Sequence, residues 1–102
     1  MTLRILGLAE ADLLNGFRFY ERQGSGLGWY FLETVNSDIE SLRLYAGVHP
    51  RVFGYYRLLS KRFPFAVYYD LHQKEIRVWR VLDCRRDPRW ISAQVTKSQT
   101  NR

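Results

Sequence analysis

A single cysteine, Cys84, occurs in 102 residues, so the chain can form no internal disulfide. That usage fits a reducing compartment, and a cytoplasmic location is expected. Histidine is scarce too. His49 and His72 stand far apart, and with one cysteine they offer no metal-ligand spacing, so neither a metal nor a cofactor is expected. No apolar run approaches the roughly 18 residues that span a bilayer, which argues against a membrane partner. The opening MTLRILGLAEADLL has a short apolar stretch, but acidic residues follow at once and no small-residue cleavage site appears. It does not read as a signal peptide. Serine-nucleophile motifs are missing. The one glycine-rich run, GSGLG (24–28), follows a helical pattern rather than a strand, so it reads as a linker and not as a phosphate loop.

Acid is lacking in one half only. Residues 1–50 carry a net charge of −2 and residues 51–102 a net charge of +8, within a total of +6. A half this basic attracts nucleic acid, an acidic protein or an anionic surface, or else it serves solubility.

The hydrophobic pattern changes period near the middle. TLRILGL (2–8) reads as a short strand. From Glu10, a stripe of Leu13, Leu14, Phe17 and Tyr20 predicts a helix with Glu10 and Asp12 in its first turn. QGSGLG (23–28) breaks it, and Ser25 is a candidate N-cap for the next helix. Leu32, Val35, Ile39 and Leu42, flanked by Phe31, form the second stripe; Gly47 stops it and Pro50 lies beyond. After Pro50, YYRLLS (55–60), FAVYYDL (65–71) and EIRVWRVLDC (75–84) are strand candidates. The expectation is an α+β domain of order β-α-α-β-β-β, a helical hairpin on a small antiparallel sheet. It spans residues 1–92, and the polar stretch 93–102 (AQVTKSQTNR) reads as a frayed tail.

RVWRVLDCRRDPRW (77–90) holds five arginines in fourteen positions. Strict alternation puts Ile76, Val78, Arg80 and Leu82 on one face of the last strand, and Arg77, Trp79, Val81 and Asp83 on the other. Arg80 then interrupts an apolar row and needs a partner; Asp83, Asp87, Glu33 and Asp38 are the candidates. It is either locked internally or part of an anion site. Arg85, Arg86 and Arg89 lie beyond the strand, where they suit forked recognition of phosphate or carboxylate, or form a solvated charge run. Cys84 reads as a small buried or half-buried filler. Tyr55, Tyr56, Tyr68, Tyr69 and Trp79 are mostly core candidates, although basic groups interleaved with aromatics could also stack bases.

The run KRFPFAVYYDLHQKEIRVWRVLDCRRDP (61–88) resembles the RelE/ParE family of type II toxins, also known as plasmid stabilisation proteins. The likeness rests on Phe63, Pro64 and Phe65, on Val67, Tyr68 and Tyr69, on Val81, Leu82 and Asp83, and on Arg86, Asp87 and Pro88. AEADL (9–13), FYE (19–21) and GLG (26–28) match in the first half, so it covers about residues 3 to 91. Asp83 departs from the pattern, which usually has histidine there. The resemblance implies a growth-inhibiting toxin neutralised by a cognate antitoxin, with a heterotetramer as one assembly. An antitoxin's disordered segment would fold over the toxin, its acidic residues meeting toxin arginines. RelE-like members cut mRNA on the ribosome; ParE-like members inhibit DNA gyrase without being nucleases.

RNA cleavage through the 2′-hydroxyl needs a base, an acid and cations for the phosphorane. Arg57, Lys61, Arg85 and Arg86 could supply charge. The arginine that RelE-like chains carry on the third strand falls near Ala66, however, and no tyrosine follows Tyr69; Trp90 occupies that region. His49 and His72 read as surface histidines, so catalytic residues stay unassigned. The likeness is therefore closer to ParE-like members, with a RelE-like ribosome-dependent endoribonuclease or a non-toxic interaction module as alternatives. The expected target- or antitoxin-binding residues are Arg57, Lys61, Arg80, Arg85, Arg86, Arg89 and Trp90.

Overall fold

The computed structural model describes residues 1–98. Its elements run β1 (Thr2–Ile5), α1 (Gly7–Glu21), α2 (Leu27–Glu40), a single turn α3 (Leu42–Tyr45), β2 (Arg51–Val52), β3 (Tyr55–Leu59), β4 (Phe65–His72), β5 (Glu75–Asp83) and α4 (Pro88–Lys97). The five strands form one sheet in the order β1-β5-β4-β3-β2. The expected antiparallel sheet holds for β2 to β5, whereas β1 lies parallel to β5, from Thr2 opposite Glu75 to Ile5 opposite Val78. The helical hairpin between β1 and the rest supplies the long crossover that a parallel pair requires.

The α1–α2 hairpin covers one face. Ala9, Leu13, Phe31, Val35, Ile39 and Leu42 meet Phe65, Val67, Tyr69, Ile76, Val78 and Val81 in the main core. Two glycines let the helices approach. A Cβ on Gly28 would stand 2.7 Å from the Phe17 carbonyl oxygen, and one on Gly16 would overlap the Phe31 ring. Ser25 does not cap α2. Its N-cap is Gly26 at φ 87°, and the Glu21 carboxylate instead accepts the N–H groups of Gly26 (3.0 Å) and Gly28 (2.9 Å). The left-handed φ is one a glycine adopts without strain.

The other face carries the largest departure from expectation. The stretch expected as a frayed tail is helical through Lys97, and Ser98 is buried; residues 99–102 lie outside the described residues. Asp87 caps α4 by accepting the Arg89 N–H at 2.8 Å, and Pro88 occupies its first turn, where a missing N–H costs nothing. Ile91 and Val95, one turn apart, drop onto Tyr55, Ala66, Tyr68, Trp79 and Leu82 to make a second core. This buried pair, with half-buried Trp90 beside it, holds a helix whose other positions are mostly polar, which hydrophobic content alone does not signal.

Strict alternation fails in β5. Tyr68 pairs with Arg80 and Tyr69 with Val78, so Trp79 is an extra residue in a β-bulge. Ile76, Val78 and Val81 therefore share the hairpin face, while Trp79 and Leu82 share the α4 face. The expected row of Ile76, Val78, Arg80 and Leu82 is split by this one-residue shift.

Candidate functional site

The bulge and α4 together shape a cleft of about 470 Å³ between α1, the end of β5 and α4. Phe19, Phe65 and Leu82 supply its apolar wall, and Asn15, Gln94, Asp83, Arg86 and Trp90 ring the polar side. At its base lies the buried pair of Arg80 and Asp12. Arg80 donates from Nε to Asp12 Oδ2 at 2.7 Å and from a terminal nitrogen to Asp12 Oδ1 at 2.9 Å. Its other terminal nitrogen reaches the carbonyl and side-chain oxygens of Gln94, each at 3.2 Å. Asp12 Oδ2 also accepts the Val81 N–H at 2.9 Å. Where β1 stops running beside β5, the Asp12 side chain thus takes over the strand's edge. None of the four acids expected for Arg80 is its partner; Asp12, assigned by sequence to a first-turn dipole role, is one turn further into α1 and buried. Ala9, Asp12, Leu13 and Gly16 are α1's buried positions, and that spacing of three and four residues was the available signal.

Three of the seven expected residues meet in this cleft: Arg80, Arg86 and Trp90. The Arg86 guanidinium carbon sits 3.8 Å from the centroid of the Trp90 ring, a cation–π stack at the cleft's lip. The other four are elsewhere. Arg85 turns back on Asp83 (2.8 Å), and Arg89 on Asp87 (3.1 Å). Lys61 lies beside Arg62 in a separate depression with Glu33 and Asp38. Arg57 lines a small groove on the α4 face with Phe53, Tyr68, Cys84, Pro88 and Ile91. Cys84 is exposed there, against the expectation of a buried filler. The arginine turn is not one open cationic hollow, because most of its charges are answered by the aspartate two residues before.

Titration follows from these pairings. Burial pushes the Asp83 carboxyl up, but the bonds and charge of Arg85 outweigh it and hold it below the usual carboxylate range. Burial raises the Tyr68 hydroxyl, with Arg57 only partly offsetting it. His49 hydrogen-bonds the Tyr69 hydroxyl, which also accepts the Gly47 N–H at 3.0 Å; burial lowers the pKa of His49 and raises that of Tyr69. Tyr69 belongs to the core on the hairpin face, and neither it nor His49 lines the cleft. Ala66 is fully buried in the α4 core. Among the described residues no group of three His, Cys, Asp or Glu side chains could hold a metal ion, and no helix is long and apolar enough to cross a membrane.

No family model and no curated protein matches the chain. Among solved structures it is similar to a chain of the chromosomal ParDE TA system from P. aeruginosa, with 24% identity and a TM-score of 0.73, over 79% of this chain and 92% of that one. A likeness at this identity speaks to architecture: the chain has the RelE/ParE-like toxin fold.

Proposed function

We propose that the protein is the toxin of a type II toxin–antitoxin pair, held by a cognate antitoxin, and that it acts in the ParE manner, by binding DNA gyrase rather than by cleaving RNA. The likeness to a ParDE chain supports the toxin role. The observation that carries the choice of mode is the state of the cleft's proton-transfer groups. Asp12 is committed to Arg80 and the Val81 N–H, and Asp83 to Arg85. Each carboxylate already accepts three hydrogen bonds of the roughly four it can take, which leaves little of either free to act as a base. The position expected for a RelE-like arginine is Ala66, sealed beneath α4, and Trp90 supplies an indole that does not titrate.

What the cleft offers is a binding surface. Arg86 forms no ion pair among the described residues, and it is held flat on Trp90 beside the aromatic wall of Phe19 and Phe65. A partner segment bearing one acidic and one bulky apolar side chain fits that surface.

Expression in bacteria without antitoxin tests the reading. Filamentous cells with gyrase-trapped DNA breaks are expected. Messages cut at codon boundaries would instead establish a ribosome-dependent endoribonuclease, and normal growth a non-toxic interaction module. Arg86→Ala should weaken toxicity or antitoxin binding while leaving the unfolding midpoint nearly unchanged, whereas Trp90→Ala should also lower the midpoint, because Trp90 packs against the α4 core.

A further inference from the structure

Helix α2 carries two stripes. Phe31, Val35 and Ile39 face the core. The stripe beside them, Tyr30, Glu33, Thr34, Ser37 and Asp38, walls a trough whose other side is Lys61 and Arg62, in the turn between β3 and β4. The first and last residues of that stripe tie the turn to the helix. Arg62 donates to the Tyr30 hydroxyl at 3.2 Å, and Ser60 donates to Asp38 Oδ2 at 2.7 Å. The Tyr30 ring also meets Phe63 edge-on at 5.4 Å, and Phe63 packs on the main core. The trough holds a volume of about 320 Å³.

Charges of both signs line this space without meeting. Glu33, Asp38, Lys61 and Arg62 enter no ion pair among the described residues. Just beyond α2, Glu40 and Arg43 do pair although both are exposed, so exposure alone does not keep opposite charges apart here. The Thr34 and Ser37 hydroxyls have no hydrogen bond among the described residues, whereas Ser41 and Thr96 turn back onto the carbonyls of their own helices.

We propose that the trough binds a small zwitterion, an ammonium and a carboxylate on one short frame, of amino-acid to dipeptide size. A simple anion attracted by Lys61 and Arg62 would also meet the repulsion of Glu33 and Asp38, and a simple cation the reverse. A ligand carrying both charges answers both sets at once. Its carboxylate suits the Lys61 ammonium and the Arg62 fork, and its ammonium suits Glu33 and the second oxygen of Asp38. The two hydroxyls between them can donate or accept. No residue lines both this trough and the α1–α4 cleft, so its occupancy does not depend on what the cleft binds.

The test is a titration of the full chain with L-alanine and with alanyl-alanine, followed by NMR at the amides of Glu33, Ser37, Lys61 and Arg62. N-acetylalanine keeps only the negative charge and alanine amide only the positive one; sodium chloride at matched ionic strength is the blank. Saturable shifts confined to the trough are expected with at least one zwitterion, at a Kd on the order of millimolar. Each singly charged analogue should bind about tenfold more weakly or worse, a loss of about 1.4 kcal/mol. The tighter zwitterion tells a free amino acid from a peptide with free ends. Glu33→Gln and Lys61→Met replace exposed side chains and should fold normally, and each should raise the Kd about tenfold. Three results would each overturn the site: no saturable shift with either zwitterion, singly charged analogues binding as tightly, or both variants titrating like the native chain.

Discussion

Arg80 and Arg85 stand at the same end of β5 and make nearly identical ion pairs, 2.7 Å to Asp12 and 2.8 Å to Asp83. Their surroundings differ. The Arg80–Asp12 side chains are 10% and 9% exposed; those of Arg85 and Asp83 are 59% and 21% exposed. Water screens the second pair, and the entropy of holding an exposed arginine offsets most of its attraction. In the first pair each charge has already lost its hydration, so each depends on the other. Identical chemistry thus has a structural role at one site and a nearly neutral one five residues further along the chain. What distinguishes them is the covering: Asp12 of α1 and Gln94 of α4 close over Arg80, whereas residues 84–89 of the turn are exposed.

The largest effect is therefore expected at the sealed pair. Asp12→Ala leaves Arg80 buried without its counter-charge and the Val81 N–H without its acceptor, and should lower the unfolding free energy by about 3–5 kcal/mol in urea. A loss under about 1 kcal/mol would show that water reaches Arg80 and that the contrast with Arg85 is not one of burial. Replacing both partners sharpens the point: Asp12→Leu with Arg80→Met should recover the part of the loss that comes from the unpaired charge, since apolar pairs of similar volume substitute well for buried ions, but not the part due to the Val81 N–H.

That pair also measures how much was readable in the chain. β3, β4 and β5 could be located from their Tyr, Val, Ile and Trp content, and the hairpin from its two stripes, because both signals are local. Asp12 and Arg80 are 68 residues apart, and no local pattern joins them. The bulge at Trp79 was hidden for a related reason: one inserted residue leaves composition unchanged and reverses the face of all that follows. α4 did leave a trace, in Asp87 before Pro88 and in Ile91 and Val95 four apart, but polar residues around them masked it. The arginines stand out as a group in the sequence, yet only the fold decides which of them already has a partner.

Arg77–Asp70 lies between the two extremes, with side chains 12% and 25% exposed. Arg77→Ala should destabilise by about 1–2 kcal/mol, less than Arg80→Ala, as a partly screened charged hydrogen bond does. Equal losses at the two arginines would refute the ranking by burial. The pair also has a pH signature. Burial pushes the Asp70 carboxyl up, while the bonds from Arg77 and Trp79 prevail and hold it below its ordinary value. The folded state thus favours the charged form, and this contribution is complete above roughly pH 4, the ordinary carboxylate pKa. It drains away as pH falls through the lower folded value. Asp70→Asn should flatten the stability curve below that pH and leave the slope near neutrality unchanged; an unaltered acid limb would mean that Asp70 titrates as it does when unfolded.

The smallest effects belong to the turn. Arg85→Ala and Arg89→Ala remove side chains that are 59% and 92% exposed, each ion-paired with the aspartate two residues before it, Arg85 also reaching the Tyr20 hydroxyl. Neither should move the urea midpoint beyond experimental error, at low salt or high. Asp87→Ala is the informative control, because Asp87 also caps α4 through the Arg89 N–H. Losing a cap typically costs about 1 kcal/mol, whereas losing the Arg89 guanidinium leaves the cap in place. A midpoint that falls for Asp87→Ala and stays for Arg89→Ala separates the helix cap from the ion pair drawn on the same carboxylate. If Arg89→Ala falls as far as Asp87→Ala, the exposed pair is contributing as the buried ones do, and exposure is not what divides these arginines.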